Sequence, residues 1–412
     1  MSLPVFNLLA IARWLTILLP VFLLAGTAPL DVCAIVIAVL FLAHSIIARD
    51  FAWLHVRWVQ WAGILWIYMC LRNLGAPDVL EALGRSGSYI RFPLFAAALA
   101  YWILPDARTR RRLWYVLAAC LVFLIADTGW QYVHGTDITG RAIIPIWGGA
   151  VRLTGPFSSP RVGITILWLL FPIVLPLLAQ GKARWRMLAG MLMAGGGAAI
   201  YLSGERMALL LWLGGILLSL LLCTSARRWC IVAILSATAT LALLSSQDAT
   251  LLKRQYTETR VQMEAFGNSV YGRTWNAAVA IGRNYPVWGL GSKQFTPECK
   301  KPLYGLTDKE SLELRCPLHA HNMYLEMLVE FGLVGVALFL LLISAWVRDG
   351  CSSIARWRAE PLLLALLITM ALRLWPISVT PSQFIAWAAI PFWMALGWFY
   401  ALLNTKPEAP HD

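Results

Sequence analysis

Two histidines and an asparagine stand together in His319-Ala320-His321-Asn322, directly before a long apolar run. Imidazole titrates nearest neutrality of all side chains, so His321 at that boundary is suited to take a proton from an attacking hydroxyl. A single histidine at such a place is more often a hydrogen-bonded structural residue, so its neighbours decide the reading. Asn322 follows it, and Glu326 and Glu330 lie one and two helical turns beyond Asn322. Carboxylates inside an apolar run are costly and often functional. These two are read as groups that orient His321 or pair with an arginine. Gly332 and Gly335 then sit three apart, a spacing that lets a neighbouring helix come close. No metal is expected, because no Asp, Glu or Cys cluster accompanies the two histidines.

Arginine supplies a second chemistry. Arg72, Arg85, Arg91, Arg141, Arg152, Arg161, Arg206, Arg273 and Arg283 all fall on the membrane face opposite the main basic loops. Any one of them alone is best read as snorkelling to lipid headgroups. Several beside one apolar vestibule suit a different task, since guanidinium groups stay charged and grip phosphate oxygens in a forked, bidentate way. A diphosphate carried on a membrane lipid needs such a cluster. Arg206 stands out. It follows the short loop Ser203-Gly204-Glu205 and opens a helix, where a cation opposes the helix dipole and something must offset the cost.

These side chains need elements to hold them. Of 412 residues, 59% are hydrophobic and only 13% are charged, against roughly a quarter charged in a soluble domain. The composition excludes a secreted or cytosolic enzyme and fits a polytopic membrane protein, and the 21 tryptophans suit its interfaces. A net charge of +13 would suggest nucleic acid in a soluble chain. Lys/Arg-rich cytoplasmic loops account for it here, so no nucleic-acid partner is expected. Apolar stretches of about 18–22 residues, enough to cross a bilayer, recur along the chain. They cover 7–27, 30–48, 58–74, 88–104, 113–132, 162–179, 186–203, 206–223, 228–246, 322–346, 359–378 and 382–403. The expected fold is all-α, with about twelve transmembrane helices. The first stretch lacks the basic start of a signal peptide and is read as an uncleaved span.

Alternate short loops hold Arg49 and Arg57, then Arg108 and Arg110 to Arg112, then Lys182, Arg184 and Arg186, then Arg227 and Arg228, then Arg348, Arg356 and Arg358. All fall on one side, the cytoplasmic one, if both termini are cytoplasmic. The opposite face carries 72–91, 133–161 and a long segment, 247–320. A structureless run of about seventy residues is unusual, so helices are expected within it. Trp275, Ala278 and Val279 at i, i+3 and i+4, with a stop at Gly282, Asn284 and Pro286, mark one of them. The chain thus divides into nine spans (1–246), a large, partly helical periplasmic loop (247–320), and three spans with a cytoplasmic tail (321–412). Two of the eight cysteines, Cys299 and Cys316, share that loop. The periplasm is oxidising, so they are the disulfide candidates.

The chain has no Walker loop, nucleotide-binding glycine fingerprint or nucleophile elbow. No cofactor is expected. Nucleotide sugars are absent outside the cytoplasm, so a glycan donor there must arrive on a lipid. Three sets of residues then point to one family. His321-Asn322 is followed nine residues later by Gly332-x-x-Gly335. Gly272-Arg273-x-Trp275 leads through Ala277-Ala278 to Asn284-Tyr285-Pro286-Val287-Trp288-Gly289-Leu290-Gly291 and Phe295. Arg152-Leu153-Thr154-Gly155-Pro156-Phe157 precedes the sixth apolar stretch. Together these resemble the O-antigen ligase and polymerase superfamily over essentially the whole chain. One departure is that Gly204-Glu205 separates Ser203 from Arg206, where the family often has Ser directly before Arg.

The resemblance implies an inner-membrane glycosyltransferase of lipopolysaccharide biosynthesis, an O-antigen ligase. It would move a glycan from undecaprenyl diphosphate to the core sugar of lipid A at the periplasmic face, with inversion and without metal. In that scheme Arg206 and Arg161, with Arg273 or Arg283, hold the diphosphate. They neutralise charge growing on the leaving group. His321 takes the acceptor's proton, and Asn322, Glu326 and Glu330 support it. Arg72, Arg85, Arg91 and Arg141 are left as contacts for an anionic acceptor lipid or for headgroups. The nearest alternative is the polymerase, which uses the same donor. A flippase or transporter is a second alternative, but it should show internal repeats and charge near the bilayer midplane. No internal repeat is seen, and the candidate residues concentrate at the outer face, which argues against it.

Overall fold

The computed structural model describes residues 3–145, 151–179, 182–223, 227–247, 253–304 and 316–405, so the tail after 405 lies outside the described residues. The helices follow the apolar stretches in order. The first ten are α1 (Leu3–Ala25), α2 (Thr27–Ala48), α3 (Arg57–Asn73), α4 (Val79–Ser88), α5 (Arg91–Ala98), α6 (Ala107–His134), α7 (Val162–Ala179), α8 (Ala183–Ser203), α9 (Arg206–Leu222) and α10 (Arg227–Gln247). Next come α11 (Glu258–Glu264) and α12 (Val270–Asn284), inside the long loop. After the loop come α13 (Met323–Ser352), α14 (Pro361–Arg373) and α15 (Ala386–Asn404), and two short helical turns, Phe295–Cys299 and Ile354–Ala359, complete the set. A two-residue antiparallel pairing of β1 (Ile144–Pro145) with β2 (Val151–Arg152) leaves the architecture all-α.

Each stretch read as a span falls on a helix. Among the described residues, seven helices are long and apolar enough to cross a membrane: those in α1, α2, α6, α7, α10, α13 and α15. The other five fall short in length or apolarity, so seven spans are supported where about twelve were expected. α14 shows why. Its 13 residues reach about 20 Å at roughly 1.5 Å per residue, less than a hydrocarbon core of about 30 Å. Residues 374–385 then continue almost without helix and fold back on the start of α13. Burial separates the centre of the bundle from its rim. In α7 and α15, 83% of the spanning window is buried, against 17% in α10, so α10 turns most of its apolar surface outward.

The spacing of Gly332 and Gly335 suggested a close helix neighbour. What comes close instead is non-helical backbone. α13 breaks at Gly332, whose φ of 64° and ψ of −167° lie outside the helical region. The backbone groups freed there are bonded by the 286–291 segment, as backbone within an apolar bundle must be. The N–H of Leu333 donates to Pro286 O (2.7 Å), that of Leu290 to Val329 O (2.8 Å) and that of Gly291 to Glu330 O (2.8 Å). A Cβ on Gly332 would stand 2.2 Å from Val287 O, so only glycine fits.

The same region holds buried charge. Arg85 on α4 reaches Glu326 at 2.6 Å and Glu330 at 3.3 Å on α13. It also donates to Ser382 Oγ at 3.1 Å. Both carboxylates are buried, which is tolerable because the arginine pairs with them. Arg85 therefore joins α4, α13 and the 374–385 segment. The other three arginines left for lipid also bind protein. Arg72 donates to Trp288 O and Gly289 O at 2.8 and 2.6 Å. Arg91 pairs with Asp31 at 2.7 Å. Arg141 donates to Pro156 O at 2.7 Å.

Candidate functional site

His321 is held from three sides. Asn322 caps α13: its Oδ1 accepts the N–H groups of Tyr324 (3.0 Å) and Leu325 (3.1 Å), an arrangement asparagine favours at a helix start. Its Nδ2 donates to Pro376 O (2.8 Å) and Ser378 O (3.3 Å), tying the cap to the 374–385 segment. Thr380 returns the tie, its N–H donating to His321 O at 2.8 Å and its Oγ1 accepting from Met323 N at 3.1 Å. His321 thus sits at φ +52°, a left-handed conformation that a bulky residue keeps only when its surroundings fix it. Its own N–H donates to His319 Nδ1 at 3.1 Å, so a neutral His319 carries its proton on Nε2. The two rings are 4.2 Å apart, and Tyr271 meets His321 edge-on at 5.7 Å.

Below this pair lies a small core of its own. Ala277, Ala278 and Ile281 of α12 pack with Phe295, Cys299, Cys316 and Ala320. A disulfide joins Cys299 to Cys316, with Cα atoms 5.7 Å apart, and so fixes the strand of chain that leads into His319. α12 begins at Ser269, whose Oγ accepts the N–H of Gly272 at 3.0 Å. The helix runs Val270–Asn284, with the apolar face expected from Trp275, Ala278 and Val279 only partly realised, since Ala278 is buried and Val279 half-buried.

His319 and His321 open onto a cavity of about 350 Å³. Arg152, Glu205 and Arg206 also line it, as do Tyr271, Thr380 and Trp387. Thr259, Met263 and Phe266 from the α11 region close one wall. Glu205, directly before Arg206, is tied to the start of α7. Its carboxylate accepts the N–H groups of Gly163 (2.8 Å) and Ile164 (3.1 Å), capping α7, with Arg152 as its charged neighbour. Ser203, next in the loop, is spent internally. Its Oγ donates to Ile200 O at 2.7 Å and accepts from Glu205 N at 3.2 Å.

The expected diphosphate arginines do not all meet here. Arg206 lines the cavity. Arg161 lies behind it, its guanidinium carbon 4.9 Å from the ring of Trp387 and 4.5 Å from that of Phe157, with Nη1 donating to Thr27 Oγ1 at 3.3 Å. Burial lowers its pKa to about 10, which still leaves it charged at neutral pH. Arg273 is two residues past Tyr271, about 200° further round a helix, and is not among the lining side chains. Its Nε is buried with no hydrogen-bond partner among the described residues. Arg283 is exposed in the last turn of α12, about 15 Å along the helix from Arg273. Glu326 and Glu330 serve Arg85 rather than contacting the cavity.

Arg152, Glu205, His319 and Trp387 complete the site, and sequence reasoning assigned none of them an individual role in it. Arg152 belonged to a quoted motif, so a signal existed. Trp387, one of many tryptophans in apolar runs, gave none.

Burial sets the state of the imidazoles. It lowers the His321 pKa to about 4, with the neighbouring His319 charge acting in the same direction and Glu326 against it. His319 is also lowered to about 4, first by burial and then by Arg85 and Arg373. Both rings are therefore neutral at physiological pH. The site combines neutral imidazoles with two arginines. Residues 188–340 match the family model described as O-Antigen ligase, a span that includes Arg206, Arg273, His321 and the break in α13 but not Arg152 or Trp387. No curated protein matches the chain.

Proposed function

From the O-antigen ligase family assignment that the match over residues 188–340 supports, we propose that this membrane protein is a glycosyltransferase moving a glycan from undecaprenyl diphosphate to a core sugar of lipid A. The cavity shared by His321, Arg206 and Arg152 carries the reading. Arg206 and Arg152 take the diphosphate oxygens, a task for which forked guanidinium groups are suited. Arg161 and Arg273, beside the lining residues, add positive potential around them, and Arg283 has no part. The acceptor hydroxyl attacks the anomeric carbon from the face opposite the diphosphate, and His321 takes its proton. The bond from that carbon to the diphosphate oxygen breaks, and its electron pair leaves with the phosphate, giving inversion. Arginine charge stabilises the leaving group, so no metal and no carboxylic acid are required.

In this reading the residues sit at the membrane surface, where a lipid-linked donor presents its headgroup. The basic loops on the other side support a periplasmic placement of that surface. The test is purified His321→Ala protein reconstituted with lipid-linked donor and acceptor. Transfer should fall by about 10²–10⁴, the usual contribution of a positioned base. Unchanged transfer removes His321 from the chemistry.

A further inference from the structure

α1 and α6 run side by side with their N-termini at the same end. That end is far from His321. Gln131, in the last turn of α6, accepts the N–H groups of Thr154 and Gly155 at 2.9 Å each, next to Arg152 of the site. The 28 residues of α6 put its first turn about 40 Å away, on the opposite membrane face. A second cavity of about 350 Å³ lies there, between Arg13 and Trp14 of α1 and Asp106, Arg108 and Arg112 at the start of α6.

Three features of this cavity point to a ligand. Its charge is unbalanced, three arginines against one carboxylate. Asp106 is largely occupied, since its Oδ2 caps α6 by accepting Thr109 N (2.8 Å) and Thr109 Oγ1 (2.6 Å), and it meets Arg13 only at 3.8 Å. Arg13 interrupts an otherwise apolar helix, and its buried Nε has no hydrogen-bond partner among the described residues. The same two helices also form an open apolar groove of about 380 Å³ further along the pair, between Val21 and Leu24 on one side and Tyr115 to Phe123 on the other. Polar pocket and apolar groove follow one another along a single helix pair.

We propose that this pair binds one anionic glycerophospholipid, its phosphate between Arg13, Arg108 and Arg112 and an acyl chain along the groove. Trp14, 58% exposed, is placed at the headgroup level, as tryptophan prefers. A free phosphate would use the arginines but not the groove. Basic pockets between helices on the Lys/Arg-rich face suit acidic headgroups for the same reason. The site is independent of the transfer reaction and of the reading of His321.

The test is native mass spectrometry of the full chain released from neutral detergent, with phosphatidylglycerol or phosphatidylcholine added. The intact protein should retain one phosphatidylglycerol in preference to phosphatidylcholine. Arg13→Gln/Arg112→Gln should weaken that retention roughly tenfold to thirtyfold. Arg184→Gln/Arg228→Gln, which removes two exposed charges on the same face outside the cavity, should change it less than twofold. Arg112→Gln alone, which leaves Arg13 beside Asp106, should give an intermediate loss in protein that elutes normally on size exclusion. Equal losses in the two double variants would reduce the effect to diffuse surface charge and overturn the site. So would equal retention of the two lipids. Displacement by millimolar inorganic phosphate would assign the arginines to a free anion and overturn the lipid.

Discussion

His321 was legible at the level of a single residue because its type and its place before an apolar run limit what it can do. Its protonation was not, since that depends on burial supplied by distant segments. With a pKa lowered to about 4, the free protein holds His321 neutral, and so competent as a base, from alkaline pH down to about 5. The transfer rate at limiting donor (kcat/KM) should therefore stay flat across pH 8 to about 5 and fall as pH approaches 4, since a base is lost on protonation. At saturating donor the limb should move upward, because bound diphosphate charge favours the protonated ring. A limb near the ordinary histidine value in the limiting-donor profile would refute the burial argument. Arginine roles were harder to read. Arg72, Arg85, Arg91 and Arg141 look alike in sequence, yet each binds protein. Arg152 and Arg273 both sit in quoted motifs, yet only Arg152 lines the cavity. Which way a side chain faces is set by packing that a linear pattern does not contain.

At the scale of elements, apolar length located the helices well and their interruptions poorly. The run from Met323 reads as one continuous span, and only the tertiary approach of 286–291 turns Gly332 into a break. This joint connects the long loop to the helix that carries Asn322, and its strain is specific to glycine. Gly332→Ala should therefore destabilise by at least about 2 kcal/mol, since a side chain in that φ/ψ region costs about 1–3 kcal/mol before the 2.2 Å contact with Val287 O is counted. Gly190→Ala in α8 is the control, because a Cβ there meets nothing within 4 Å and alanine favours helix by up to about 1 kcal/mol. Thermal unfolding of the two purified variants compares them directly. If Gly332→Ala melts no lower than Gly190→Ala, the break tolerates a side chain and is not fixed by the loop.

At the scale of the whole molecule, the sequence places a bundle in a membrane but does not say how many of its helices cross. Hydropathy counts apolar residues and not directions. α14 is followed by chain that turns back on the start of α13, which a window average registers as one span. The same limit applies to function, because in the proposed reaction the donor chemistry is local to the cavity while the acceptor approaches from outside it. A ligase and a polymerase need the same base and the same arginines and differ in what delivers the hydroxyl. Deleting the gene in its source bacterium separates them on a lipopolysaccharide gel, run with an analysis of lipid-linked glycans. The proposed transfer to lipid A core predicts bare core on the gel and long polymers accumulating on the lipid carrier, because chain growth continues without its last step. Core bearing a single repeat unit, with long polymers missing, would mean that the acceptor is another lipid-linked chain. His321 and Arg206 would keep their roles in that case, and only the lipid A acceptor would be withdrawn.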